Sequence, residues 1–318
     1  MMERDKPAGE LLSEEVCTLT PGPAQEGMRL DAFLAESCPS CTRSFLQKLV
    51  KEGRAQVNGK TVKPSFRVSP GEEITLAVPP PRPADILPEP IPLDILYEDE
   101  DLIFVNKPKG MVVHPAAGHP SGTLVNALLC HCQGSLSGIG GVLRPGIVHR
   151  IDQNTTGSLV ACKNDAAHLK VAEQLKEHTI TRKYRAIVHG RLEADGTVRA
   201  SIGRHPIRRK EMAADVPGGK PAVTHYHVLE QFRDYTYIEC QLETGRTHQI
   251  RVHMKSIGHP ILGDEVYGPA RCPVKGLQGQ TLHAMTLGLI HPSAGTYIEV
   301  NAPLPEYFQS LLMRLPKV

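Results

Sequence analysis

Hydrophobic positions recur at helical spacing near the start of the chain and at strand spacing through most of the rest. After Arg29, Leu30, Phe33 and Leu34 fall on one face of a short helix. The chain breaks at Cys38-Pro39, and Thr42 is placed to cap a second helix. Phe45, Leu46, Leu49 and Val50 form the apolar face of that helix, leaving Arg43, Lys48 and Lys51 on its other faces, and Gly53 ends it. Two short strands, 55–57 and 60–62, meet at Asn58-Gly59, the strongest two-residue hairpin signal. Pro70-Gly71 turns the chain into a strand at 74–78. The pattern describes a small helix-hairpin module over residues 28–78, preceded by an acidic extension, 1–27, in which only residues 16–19 read as a strand.

Seven prolines between Pro79 and Pro92 exclude helix and central strand and favour a stiff extended spacer. A domain boundary is therefore placed at 79–92, with a second domain over 93–318. Its elements read as strands at 93–96 and 102–105, a helix at 123–130, and a glycine-rich flexible stretch at 134–146. An apolar run after Gly157 has the length of a buried strand. Asp165 can cap a helix to about 178 with Leu169, Ala172 and Leu175 inward. Strands follow at 181–188, 222–230, 235–243, 282–290 and 296–300, and a terminal helix starts at Pro305.

Composition adds limits. At 318 residues, 40% hydrophobic and 22% charged, the chain is ordinary globular material, long enough for two domains. No apolar run has membrane-spanning length, and the start lacks the apolar core of a signal peptide, so a cytosolic protein is expected. Net charge is only +2, but residues 41–67 hold seven basic residues against the single acid Glu52. Such a segment is a candidate phosphate-binding face. The eight cysteines include one C-x-x-C, Cys38 to Cys41, with no second pair at zinc-finger spacing, and Cys130 and Cys132 sit too close for a tetrahedral site alone. No metal is expected, and the thiols are read as reduced and mostly buried.

One stretch carries candidate chemistry: His149-Arg150-Ile151-Asp152, then Thr155-Thr156-Gly157 leading into the buried run. The threonine hydroxyls can bond local backbone, Gly157 permits a tight turn, and the loop would hold Asp152 at the mouth of a core strand. Taken alone, Arg150 and Asp152 could equally be a surface ion pair. The motif, however, resembles the active-site His-Arg-Leu-Asp-x-x-Thr-Ser-Gly of the RluA/RluD class of pseudouridine synthases, with Ile151 and Thr156 as conservative departures. The stretch Asn106-Lys107-Pro108-Lys109-Gly110, with His114-Pro115, is similar to a second signature of that class. Lys183-Tyr184-Arg185-Ala186 resembles another, with Arg182 in the basic slot two residues before the tyrosine. Residues 244–253 and 258–268 give the most extended match. The helix-hairpin module, with Val57-Asn58-Gly59-Lys60 at its turn, is similar to the alpha-L RNA-binding module.

The resemblance implies an α+β fold whose mixed, largely antiparallel sheet carries a central catalytic cleft, beside the small RNA-binding domain. It implies isomerisation of uridine in structured RNA without a cofactor, ribosomal RNA being favoured over transfer RNA. No obligatory protein partner and a monomeric state are expected. Asp152 inherits the nucleophile's role, Arg251 that of its compensating cation with Arg246 as second choice, and Tyr184 packs on the base and handles protons. Arg150 would fill the space left by an extruded nucleotide. His149, Arg43, Lys48, Lys51, Asn58 and Lys60 complete the expected RNA contacts, and Arg204, Arg208, Arg209 and Lys210 form a further basic patch. Two other readings stand: a hydrolase using Asp152, for which no second carboxylate is identifiable, and a non-catalytic RNA-binding or ribosome-assembly protein.

Overall fold

A computed structural model describes residues 15–38, 41, 43–78, 86–116, 118–139, 141, 144–208 and 211–318. The acidic extension up to residue 14, the Thr42 cap, the Phe45 side chain, residues 79–85 of the proline spacer, and Arg209 and Lys210 lie outside the described residues. The chain divides into two compact units, Met1–Pro83 and Ala84–Val318.

The first unit contains β1 (Glu15–Leu19), α1 (Leu30–Ser37), α2 (Arg43–Lys51), β2 (Ala55–Val57), β3 (Lys60–Thr61) and β4 (Ile74–Val78). Its antiparallel sheet has the order β1-β4-β2-β3. Asn58 and Gly59 both take positive φ, 48° and 75°, as a two-residue hairpin of this hand requires. Leu30, Phe33 and Leu34 of α1 and Leu46, Leu49 and Val50 of α2 pack on Val57, Ile74 and Leu76. β1 pairs with β4 from Glu15 opposite Val78 to Leu19 opposite Ile74. The sheet thus extends N-terminal to Met28, where the apolar pattern places the start. An exposed edge strand held by main-chain hydrogen bonds has no strong hydrophobic signature, and Val16 is exposed.

The second unit contains β5 (Ile95–Glu98), β6 (Leu102–Lys107), α3 (Leu124–Cys132), β7 (Thr156–Cys162), α4 (Asp165–Lys176), β8 (Thr181–His189), β9 (Gly196–Arg199), β10 (Ile202–Arg204) and β11 (Met212–Ala214). It continues through β12 (Val223–Gln231), β13 (Tyr235–Leu242), α5 (Gln249–Ser256), β14 (Leu282–Ile290), β15 (Tyr297–Asn301) and α6 (Glu306–Arg314). The main sheet has nine strands in the order β5-β6-β7-β14-β8-β13-β12-β9, with β15 on β14. Only the β7–β14 pairing is parallel, so the sheet is mixed and largely antiparallel, and the class is α+β. Among the described residues no helix is long and apolar enough to cross a membrane.

Two local expectations are corrected. Helix α4 is capped by Asn164, whose side chain accepts from the Ala167 N–H, and it buries Ala167, His168 and Val171, while Leu169 is 61% exposed. The inward stripe is set by the strands beneath it, not by the most apolar residue on the helix. Of the cysteines only Cys132, Cys162 and Cys240 are buried.

Every residue of β7 is buried, and this strand follows the Asp152 loop. Gly157 lies within β7 rather than at a turn, with φ 108°, and a Cβ there would stand 2.2 Å from the Ala284 carbonyl oxygen of β14. The close parallel approach of β7 and β14 at the base of the loop therefore requires glycine. Gly157→Ala is expected to cost at least ~3 kcal/mol of unfolding free energy, combining a forbidden backbone with a clash. Urea denaturation followed by circular dichroism would check it, and a loss below about 1 kcal/mol would mean that the strands part easily.

Candidate active site

Asp152 sits in the loop ahead of β7, and the loop is held by distant side chains rather than by its own backbone alone. Thr155 Oγ1 accepts from Gln280 Nε2 at 3.1 Å, and Thr156 Oγ1 pairs with His283 Nδ1 at 2.8 Å. The Gln153 carbonyl accepts from the Gly110 N–H at 3.0 Å. It also accepts from Lys107 Nζ at 3.0 Å, and that ammonium donates again to the Pro108 and Met111 carbonyls, each at 2.8 Å. Lys107 is fully buried, so the 106–110 segment is stitched under the Asp152 loop by a lysine with three donors for three acceptors. Burial drives its pKa down to about 7, against the pull of the Asp152 charge.

Helix α5 brings Arg251 to Asp152. Arg251 Nη1 donates to Asp152 Oδ2 at 2.9 Å, while its Nε and Nη2 clasp Asp264 at 2.6 and 2.9 Å. Arg251 and Asp264 are buried, and Asp152 keeps 18% of its side chain exposed. Burial would lower the Arg251 pKa, but hydrogen bonds and charge from Asp264, then Asp152, outweigh it and raise the value. Asp264 is likewise pushed up by burial and held below the usual carboxylate range by Arg251. The guanidinium fork lets one cation grip Asp264 in bidentate fashion and still present an N–H to Asp152.

His248 caps α5 from the left-handed region, with φ 57° and ψ 21°. A non-glycine residue there is strained by roughly 1–3 kcal/mol, a cost that recurs at functional sites. Tyr267 Oη accepts from the Met212 N–H at 2.8 Å and lies 2.7 Å from His248 Nδ1. Tyr267 Oη and His248 Nδ1 thus share a hydrogen bond, and His248 Nε2 lies 3.7 Å from Asp152 Oδ1. Tyr267 also lies under Arg251, 4.9 Å from guanidinium carbon to ring centroid.

These residues surround a small pocket of about 50 Å³. Arg150, Asp152, Tyr184, Arg246, His248 and Arg251 line it with the apolar Ile151, Leu242 and Leu282. Tyr184 projects from β8, opposite Cys240 of β13 and Ala284 of β14, and burial raises its pKa, keeping the phenol protonated. The structure therefore brings together Asp152, Tyr184, Arg251, Arg150 and Arg246. His149 is placed differently: its Nε2 accepts from the Val160 N–H at 3.1 Å, and burial, then Arg182, push its pKa down to about 3. This imidazole is neutral and tied to β7.

In the first unit, Lys48, Lys51 and Lys60 are exposed. Arg43 instead donates to the buried Asp31 at 3.2 Å, alongside Arg29 at 3.0 Å and Gln47. Asn58 Oδ1 accepts from the Glu73 N–H at 2.9 Å, locking the hairpin.

Residues left without a role by sequence reasoning are Lys107, His248, Asp264 and Tyr267. Asp264 and Tyr267 fall in the extended match at 258–268, but nothing in spacing alone shows that a carboxylate 13 residues after Arg251 would share its guanidinium.

Residues 101–256 match the RNA pseudouridylate synthase family model and residues 28–74 match that of the S4 domain. The chain is 52% identical over 300 residues to Uncharacterized RNA pseudouridine synthase YlyB of Bacillus subtilis strain 168, covering 94% of this chain and 98% of that one. It is 45% identical over 307 residues to Ribosomal large subunit pseudouridine synthase D of Escherichia coli K12, covering 93% of each. Among solved structures, human RNA pseudouridylate synthase domain containing 1 superposes with a TM-score of 0.55 at 25% identity, over 71% of this chain and 97% of that one. The protein belongs to the RNA pseudouridine synthase family and carries an N-terminal S4 domain.

The depressed pKa of Lys107 gives a stability test. Between about pH 7 and the ordinary lysine value of 10.5, the unfolded chain binds a proton at Lys107 that the folded chain does not. Stability therefore rises with pH across that window, by at most ~1.4 kcal/mol per pH unit. Relative to Lys107→Met, the wild type should gain stability from pH 7 to pH 10. A constant difference in urea midpoints would show that the three carbonyls keep the ammonium charged throughout.

Proposed function

We propose that this protein converts uridine to pseudouridine in large-subunit ribosomal RNA, with Asp152 as the nucleophile. The observation that carries the reading is the partly exposed carboxylate of Asp152 held by Arg251 in a pocket faced by Tyr184. The substrate class follows the names of relatives such as Ribosomal large subunit pseudouridine synthase D.

The reaction exchanges the bond joining uracil N1 to the ribose for one from uracil C5, with loss of a proton at C5 and gain of one at N1. It needs a group that holds the detached fragment while the ring turns. The Asp152 carboxylate supplies it as a transient ester, to the sugar or to the uracil ring, and regains its charge when the new carbon–carbon bond is complete. Arg251 donates to that carboxylate at 2.9 Å and orients it beside an apolar wall. Tyr184, protonated at rest, offers its ring to the base and its hydroxyl to the exchanging protons. Arg150 stands exposed at the rim, in a position to occupy the stack vacated by the flipped nucleotide. The S4 domain, with Lys48, Lys51 and Lys60 at its surface, contributes affinity for phosphates without reading sequence.

Asp152→Asn preserves shape and hydrogen bonding but removes the nucleophile. Single-turnover assays at saturating enzyme on unmodified large-subunit ribosomal RNA should show no pseudouridine from this variant, with RNA binding intact. A loss within tenfold, equivalent to about 1.4 kcal/mol, would reduce Asp152 to an ion-pair partner. Arg251→Lys should also lose more than a hundredfold, because a single ammonium cannot grip Asp264 in bidentate fashion while donating to Asp152.

A further inference from the structure

A second and larger cavity, about 380 Å³, adjoins the catalytic pocket and shares Arg150, Tyr184, Leu242 and Arg246 with it. Arg144 and Arg182 bring its arginines to four, and no acidic residue is among those that line it. In a chain with 36 basic and 34 acidic residues, so one-sided a wall is a local departure. Two of its polar groups are buried without partners. Arg182 is 6% exposed; its Nη2 donates to the Glu243 carbonyl at 3.1 Å, but its Nε has no hydrogen-bond partner among the described residues. His114, 8% exposed, has an equally unpartnered Nδ1. Arg182 is also specifically accommodated, since a Cβ at Gly245 would stand 2.5 Å from its Nη1.

Buried polar atoms without partners are costly and rare, and two residues that carry them, Arg182 and His114, stand in the wall of this one cationic cavity. Burial, with the charges of Arg150 and Arg144, holds His114 neutral, and a neutral imidazole can still donate one N–H. Guanidinium groups around a concave site with no carboxylate fit a tetrahedral oxyanion. A nucleotide whose base enters the smaller pocket has a flanking phosphate beside the shared wall.

We propose that this larger cavity is a phosphate subsite, taking the RNA phosphodiester next to the modified uridine, with Arg182 as its buried cation. The inference rests on the synthase reading for the identity of the RNA. It separates two tasks: Arg251 is paired with two carboxylates and serves Asp152, whereas among the described residues no carboxylate pairs with Arg182.

The test compares wild type with Arg182→Met, Arg182→Lys and Arg144→Gln, using unmodified large-subunit ribosomal RNA. Filter binding over a range of KCl concentrations gives the affinity and its salt slope, and single-turnover assays give the half-saturating concentration and the saturated rate. Arg182→Met should weaken binding about tenfold and flatten the salt slope by about one, the signature of one lost phosphate contact. Its kinetic loss should fall mainly on the half-saturating concentration. Arg182→Lys should restore the slope with part of the affinity. Combining Arg182→Met with Arg144→Gln should cost less than the product of the two losses, because both cations face one phosphate. An unchanged salt slope in folded Arg182→Met, or a loss confined to the saturated rate, would overturn the proposal and leave Arg182 as a support for Tyr184. Should Arg182→Met not fold, a wild-type slope in Arg144→Gln would overturn it equally. Millimolar inorganic phosphate that stabilises the free protein yet leaves RNA binding untouched would assign the cavity to a free anion instead, against the proposal. Wild-type protein that forms no pseudouridine would end the synthase reading, while the salt slopes would still decide this one.

Discussion

The buried guanidinium of Arg251 is the interaction on which the site depends. It has one Asp on each side, Asp264 fully buried and Asp152 partly exposed. A lone cation at that depth would be strongly destabilising, and removing one partner from such a pair typically costs ~3–5 kcal/mol. Asp264 answers that need with a bidentate clasp and with further bonds from the Val266 and Tyr267 N–H groups. Because Asp264 already neutralises Arg251, Asp152 is not required for the stability of the cation. In the mechanism proposed above, the Asp152 carboxylate can therefore form an ester without leaving an uncompensated buried charge.

The same separation of tasks holds for the backbone. Gly157 lets β7 lie against β14, Thr155 and Thr156 anchor to Gln280 and His283, and Lys107 gathers three carbonyls beneath. None of these groups lines the catalytic pocket except Thr155. They fix the loop from behind, so that the carboxylate faces Arg251 and His248 in a single orientation. Preorganisation of this kind removes reorientation from the chemical step. The strained backbone of His248 belongs to the same arrangement, since this residue places its Nε2 3.7 Å from Asp152 Oδ1.

Local pattern carried the strands well. The bounds at 282–290 and 74–78 coincide with β14 and β4, and Asn58-Gly59 makes the hairpin its composition requires. The short motif around Asp152 also sufficed to draw attention to the right loop. What pattern could not carry was anything decided by a partner far away in sequence. Helix α5 has no side-chain cap and only eight residues, so its existence and the direction of Arg251 come from packing and from Asp264. Gly157 reads as a turn residue until β14 is placed beside it. Lys107 reads as a surface charge until three carbonyls are seen to close on it. Arg43 was counted in a basic segment because its partner, Asp31, lies just outside the segment that was counted.

Size then constrains how the substrate enters. At about 50 Å³ the pocket beside Asp152 is well below the ~300 Å³ of a typical small-ligand site. The wall has two unequal halves. Tyr184, Leu242 and Leu282 belong to central strands packed on both sides and cannot yield without opening the sheet. Arg150 is exposed and Arg246 half-buried, both on loops, and both also border the larger cationic cavity. Arg246 Nε donates to the Pro221 carbonyl at 3.1 Å, so the exposed Arg150 is the freer of the two. On the synthase reading proposed above, the cations that would draw the RNA backbone are also side chains that border the pocket for the base.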